Sequence, residues 1–217
     1  MKNHIKLILL GETKVGKTAI IQRYNENIFN DDINSTSNIG FIKKEVTIND
    51  QKVILELWDT VGQEQFRSVT QMFIKKSQII VLVYEVTKIK TFESLDYWYD
   101  FIKKEFDEKV VLGLAGNKTD LIFEDGFDEE VFPEKGRLYS EKIGAHFSLV
   151  SAKESGKEIY DLINELFSKY LLLYGTDLAS SYSNIKLDEN TNKQNNKNWL
   201  LWWKKIRKQW NYVIHRI

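Results

Sequence analysis

Gly11-Glu-Thr-Lys-Val-Gly16-Lys17-Thr18 matches the pattern G-x-x-x-x-G-K-[ST]. An apolar run over 5–10 ends directly before it, and a helical pattern over 17–25 opens on its last two residues. A strand that enters a helix through such a loop is a phosphate cradle: glycines let successive backbone N–H groups converge, and the helix N-terminus adds a positive dipole end. The phosphates are expected against Gly11, Thr13, Lys14, Val15 and Gly16 and the helix start through Ala19. Lys17 is expected to reach the β- and γ-phosphates, and the Thr18 hydroxyl to ligate Mg²⁺. The bare pattern arises by chance in roughly one chain in a hundred of this length, and the strand–loop–helix setting lowers that further.

Outward from this loop the chain alternates. Apolar, strand-like runs lie at 5–10, 40–48, 53–58, 79–86, 110–116 and 146–150, and helical periodicity occupies 17–25, 91–106, 133–143 and 157–174. Asn49-Asp50 is spaced as a hairpin turn, so the second and third strands should be antiparallel. The predicted fold is α/β, a six-stranded, mostly parallel sheet with helices on both faces, whose ligands sit beyond the carboxyl ends of the strands. Of 217 residues, 42% are apolar and 13% aromatic, which excludes a disordered chain and suits one domain with a tail. The predicted organisation is a domain over 1–175, a polar linker over 176–198 and a helix over 199–217. There is no cysteine, which removes disulfides, thiolate metal sites and thiol nucleophiles. The first apolar run is short, is interrupted by Lys6 and has no small-residue cleavage site after it, so a buried strand is expected rather than a secretory signal. A soluble, intracellular protein is the expectation.

Two further strand ends carry chemistry. Asn117-Lys118-Thr119-Asp120 follows the fifth strand. A carboxylate there can accept hydrogen bonds from guanine N1–H and from its amino group, a donor pair that adenine lacks. Alone this tetrapeptide is as well read as a solvated loop; beyond a phosphate loop it becomes specific. Ser151-Ala152-Lys153 follows the last strand and can offer a backbone N–H to the guanine carbonyl oxygen. Asp59-Thr60-Val61-Gly62-Gln63-Glu64 closes the third strand. Asp59 is placed for the Mg²⁺ shell, the Gly62 amide for a γ-phosphate and Gln63 for an attacking water.

These four blocks, in their order along the chain, resemble the Ras superfamily of small GTPases over residues 3–175, and finer detail resembles the Rab branch. Thr36 stands 22 residues before Trp58, where the resemblance implies a first-switch threonine sensing the γ-phosphate through Mg²⁺. Phe29 matches the aromatic that lies against the guanine edge. The stretches Trp58-Asp-Thr-Val-Gly-Gln-Glu-Gln-Phe-Arg-Ser-Val-Thr70 and Leu82-Val-Tyr-Glu-Val-Thr87 are similar to Rab segments. Phe41, Trp58 and Phe73 fall where Rabs place an aromatic triad joining the switches to effectors; buried core aromatics is the other reading. The resemblance implies a G domain that binds GTP and GDP with Mg²⁺. Its catalytic set is Lys17, Thr36, Gly62 and Gln63, its metal ligands are Thr18, Thr36 and Asp59, and its base contacts come from Asn117, Lys118, Asp120, Ser151, Ala152 and Lys153.

The departures from that pattern bear on rate and partner choice. Lys14 replaces a small residue in the phosphate loop, Val61 replaces an alanine beside Gly62, Asn38 replaces a glycine, and Lys75-Lys76 replaces an Arg-Gly pair. Rabs also end in prenylated cysteines. Here residues 190–217 hold seven basic and no acidic side chains, against 24 basic and 31 acidic in 1–189. At 3.6 residues per turn, Trp199, Trp202, Trp203, Ile206, Trp210, Val213, Ile214 and Ile217 form one stripe, with Lys204, Lys205, Arg207, Lys208 and Arg216 largely off it. A basic amphipathic helix with interfacial aromatics fits a membrane surface; a partner groove, the acidic body of the chain itself, or an altered terminus are the alternatives. The acidic body and one-sided stripe argue against nucleic acid.

The functional expectation is a monomeric molecular switch in vesicle trafficking, peripheral on the cytosolic face of an intracellular membrane. It slowly hydrolyses GTP and meets an exchange factor, a GTPase-activating protein, and effectors at 36–41 and 62–73. The alternative is a GTP-binding scaffold with little or no hydrolysis, recruited through its C-terminal helix.

Overall fold

In the computed structural model the residues described are 3–30, 40–48, 51–60, 74, 77–105, 110–123 and 131–174, all within the first of the two units into which the chain divides, Met1–Thr176. Six strands form one sheet: β1 (Asn3–Leu10), β2 (Gly40–Ile48), β3 (Gln51–Asp59), β4 (Ile79–Glu85), β5 (Val111–Asn117) and β6 (His146–Leu149). Their order across the sheet is β2-β3-β1-β4-β5-β6, every pairing parallel except β2 with β3. The antiparallel pair runs to Ile48 opposite Gln51, as expected for a hairpin.

The strand sequences account for this order. Leu7–Leu10 and all of β4 are buried, because unbroken apolar runs suit strands covered on both faces. β2 alternates, with Phe41, Lys43, Glu45 and Thr47 exposed and the residues between them half-buried, which suits an edge. The helices are α1 (Lys17–Glu26), α2 (Ile89–Glu93), α3 (Leu95–Glu105), α4 (Pro133–Ile143) and α5 (Lys157–Tyr174). One face gathers Ile80, Leu82 and Tyr84 of β4 with Phe92, Leu95, Trp98, Ile102 and Ile143 of α2, α3 and α4. On the other face α1 and α5 meet, their Tyr24 and Tyr160 ring centroids 4.9 Å apart and the Tyr24 hydroxyl donating to Asn164 Oδ1 at 3.2 Å.

One predicted helix is corrected. The periodicity over 91–106 implies a single helix, whereas the chain forms α2 and α3 with a break at Ser94. The Ser94 hydroxyl donates to the Thr91 carbonyl at 2.9 Å. The Ser94 N–H still bonds the Lys90 carbonyl at 3.1 Å and the Ser94 carbonyl still accepts from the Trp98 N–H at 3.3 Å, so the interruption is confined to one residue. A 3-10 turn over Thr119–Phe123 was also absent from the strand–helix pattern. The expected linker and helix over 176–217 lie outside the described residues. Among the described residues no helix is long and apolar enough to cross a membrane.

Candidate functional site

Because β1, β3, β4, β5 and β6 run the same way, their carboxyl ends share one edge of the sheet, and the loops that leave them converge. The loop after β1 has positive φ at Gly11 (147°), Lys14 (64°) and Gly16 (95°). A Cβ at Gly11 would lie 2.2 Å from the Val83 carbonyl oxygen, and one at Gly16 2.3 Å from Asn117 Nδ2. The two glycines therefore serve close approach as well as φ. Val15 is buried, while Thr13 and Lys14 are exposed. Gly16 caps α1 without a side-chain hydrogen bond, leaving the first-turn amides suited to an anion.

Lys17 is only 5% exposed. Its ammonium donates to the Gly11 and Glu12 carbonyls at 2.9 and 2.7 Å, so it lies curled over the loop that it would share with phosphates. Burial brings its pKa down to about 8, against the opposing pull of Asp59 and Glu12. Beside it the Thr18 hydroxyl donates to Asp59 Oδ2 at 2.7 Å, and the Thr60 hydroxyl donates to the Leu9 carbonyl at 2.6 Å, fixing the end of β3 against β1. Among the described residues no cluster of three or more His, Cys, Asp or Glu could hold a metal. The pair of hard oxygen donors on Thr18 and Asp59 nevertheless fits Mg²⁺, which takes one or two protein oxygens and completes its octahedron with phosphate and water.

Asn117, 1% exposed, joins three loops. Its Nδ2 donates to the Val15 carbonyl at 2.8 Å, and its Oδ1 accepts from the Ala152 N–H at 3.3 Å. Both polar ends of the side chain are engaged with backbone, so Asn117 ties the phosphate loop to the loop after β6. Ser151 donates to Asp120 Oδ1 at 2.6 Å and accepts from the Glu154 N–H at 3.0 Å, holding the carboxylate in place. Together Gly16, Ala19, Phe29, Asn117, Lys118, Asp120, Leu121, Ala152 and Lys153 line a cleft of about 200 Å³. Residues predicted from three separate blocks thus face one cavity.

A model of the Ras family matches residues 6–172. This chain belongs to the Ras family. The Ras-related protein RABG1 of Arabidopsis thaliana is 45% identical over 124 residues, 55% of this chain and 61% of that protein. Ras-related protein Rab-21 of Geodia cydonium is 35% identical over 167 residues, covering 76% of this chain and 70% of that protein. Ras-related protein Rab-30 of Homo sapiens is 35% identical over 162 residues, 75% of each. The likeness is to the Rab type of small GTPase, as the sequence motifs imply.

Several expected residues of this Ras-family chain lie outside the described ones: Thr36, Asn38, Val61, Gly62, Gln63, Phe73, Lys75 and Lys76. Of the expected aromatic triad, Phe41 stacks on Trp58 with centroids 4.9 Å apart and planes 16° from parallel. Phe41 is 51% exposed, which excludes the core reading for that ring. Three residues near the cleft were given no role by the sequence motifs, although Glu85 lies within the stretch 82–87. Leu121 lines the cleft, the first of the apolar run Leu121-Ile122-Phe123 directly after Asp120. Arg23 of α1 donates to the Ala152 and Lys153 carbonyls at 2.7 and 2.8 Å and to the Asn27 carbonyl at 3.0 Å, bracing the loop after β6. Glu85, at the end of β4, accepts from Lys118 at 2.7 Å. The acceptors of Arg23 across the cleft, the Ala152 and Lys153 carbonyls, are backbone atoms, which no residue pattern records.

Proposed function

We propose that the chain binds GTP and GDP with Mg²⁺, hydrolyses GTP slowly, and switches effector binding in vesicle trafficking. The observation that carries this reading is the cleft in which Asn117 ties the phosphate loop to the loop of Ser151, Ala152 and Lys153. Lys17 and the loop amides hold the β- and γ-phosphates. Asp120, steadied by Ser151, accepts the two guanine donors, and the Ala152 loop faces the guanine carbonyl. Thr18, Asp59 and, by family likeness, Thr36 hold the metal, which when bound spreads the charge of the β- and γ-phosphate oxygens. Gln63 orients the attacking water and the Gly62 amide senses the γ-phosphate. No arginine of this chain is assigned to the transferring phosphoryl group, so turnover unaided is slow, and an activating protein that supplies one would add on the order of 10³–10⁵ in rate.

Single-turnover hydrolysis on GTP-loaded protein tests this. Wild type is expected to hydrolyse GTP slowly, and Gln63→Leu to lower that rate by about tenfold or more, because a mispositioned nucleophile loses that much. Failure to load GTP at all would sink the reading. Loading without hydrolysis in either protein would leave the scaffold, with Val61→Ala as the next variant to measure.

The basic, Trp-rich segment over 199–217 is proposed to bind an anionic membrane surface, each basic residue near such a leaflet adding about 1 kcal/mol. Full-length protein is expected to float with anionic liposomes while a 1–189 truncation stays with the soluble fraction. Equal behaviour of the two would rule the segment out as an anchor.

A further inference from the structure

Glu85 is a carboxylate with 2% exposure at the carboxyl end of β4, level in register with Asn117 of β5. It receives the Lys118 ammonium at 2.7 Å on Oε2, and the Lys88 ammonium at 2.9 Å and the Thr87 hydroxyl at 3.0 Å on Oε1. Its own N–H is held by Thr91 Oγ1 at 3.0 Å. Burial pushes the carboxyl toward its neutral form, yet the hydrogen bonds from Lys118 and then Lys88 bring its pKa below the usual carboxylate value. A charge buried to this degree persists only when such partners are present.

The two lysines differ. Lys88 is largely exposed, whereas Lys118 is mostly covered, has φ 68°, and lines the cleft. Its backbone conformation turns the residue away from the line of β5, and its ammonium is spent on Glu85 rather than on solvent. The stem between those two fixed points forms part of the cleft wall. A wall built from a lysine stem is only as rigid as the anchor of its far end, since its rotors otherwise keep their side-chain entropy.

We infer that Glu85 is a positioning residue for nucleotide retention, acting by pinning the far end of Lys118 so that its stem holds the base cleft in shape. This rests on the nucleotide-binding reading above. The competing account is a turn staple: Glu85 joins Thr87, Lys88 and Thr91 at the β4–α2 turn and has no bearing on ligand.

Release of a fluorescent GDP analogue, measured in a double-mutant cycle, separates the two. Glu85→Gln, nearly isosteric, is expected to speed release about tenfold, the effect of losing one buried charge-assisted contact. In a Lys118→Ala background the same substitution is expected to change release less than about twofold, because the residue it acts through is gone. Glu85→Asp, which keeps the charge one methylene short, should fall between wild type and Glu85→Gln in the native background, and it repeats the comparison if the glutamine variant does not fold. Acceleration of equal size in both backgrounds, or none while wild type retains the analogue, overturns the inference. A wild type that binds no analogue overturns instead the nucleotide reading on which it stands.

Discussion

Lys17→Met is expected to weaken guanine-nucleotide binding by roughly 10²–10⁴ while leaving the nucleotide-free fold within about 1 kcal/mol of wild type. The binding side follows from the chemistry of the loop. An ammonium on the β- and γ-phosphates makes two charge-assisted hydrogen bonds at about 1.5–3 kcal/mol each, which amounts to roughly 10²–10⁴ in affinity. The stability side follows from burial. Without phosphate, Lys17 is a desolvated cation whose attachments are the Gly11 and Glu12 carbonyls, and its depressed pKa reports that desolvation outweighs the help from Asp59 and Glu12. Methionine fills similar volume without the buried charge, and apolar replacement of a buried ion is often neutral or stabilising. Two carbonyls lose a donor in exchange, which offsets the gain. Titration with a fluorescent GDP analogue and a denaturant melt of nucleotide-free protein read the two halves separately. Binding within tenfold of wild type would show that Lys17 does not hold the phosphates; a melt far below wild type would show that it holds the loop.

Gly11→Ala should act in the opposite sense, through the fold first. The added methyl would stand 2.2 Å from the Val83 carbonyl oxygen, a backbone atom of a fully buried strand. No side-chain rotation relieves that contact. The residue also holds φ 147°, a conformation alanine adopts only under strain. Strain and overpacking each contribute about 1–3 kcal/mol, so a loss of about 3 kcal/mol or more is expected, lowering Tm by about 10 °C in a domain of this size. A thermal melt without nucleotide measures it. An unchanged Tm would mean that β1 and β4 can separate at this end, and that the close approach is not required by the sheet.

The architecture was largely legible from period and order. The alternation of apolar runs with helical periods announced a mostly parallel sheet, and Asn49-Asp50 announced its antiparallel pair, whereas the edge position of β2 emerged only in the structure. The expected helix over 91–106 is interrupted at Ser94, whose hydroxyl bonds the Thr91 carbonyl, a local feature that the periodicity does not record. At the site the same division appears. Lys17, Thr18, Asp59 and Asp120 were visible because their chemistry demands their residue types. Arg23 was not, since it grips carbonyls 129 and 130 residues away that belong to every sequence alike. Glu85 was hidden for a different reason: a glutamate at a strand end ordinarily meets water, and only the fold shows it enclosed beneath Lys118.

The Asn117 tether also has a consequence for the order of events during synthesis. The amide reaches back 102 residues to Val15 and forward 35 to Ala152. Chains grow at about 5–20 residues per second, so a ribosome-bound chain carries its finished phosphate loop for several seconds before the last part of the clasp exists. Until Ala152 has cleared the exit tunnel, such a chain can offer amides to a phosphate but cannot close on a base. Capture of stalled chains of increasing length on immobilised GDP should therefore begin abruptly once that point is passed, and the nascent protein's first nucleotide would be acquired late.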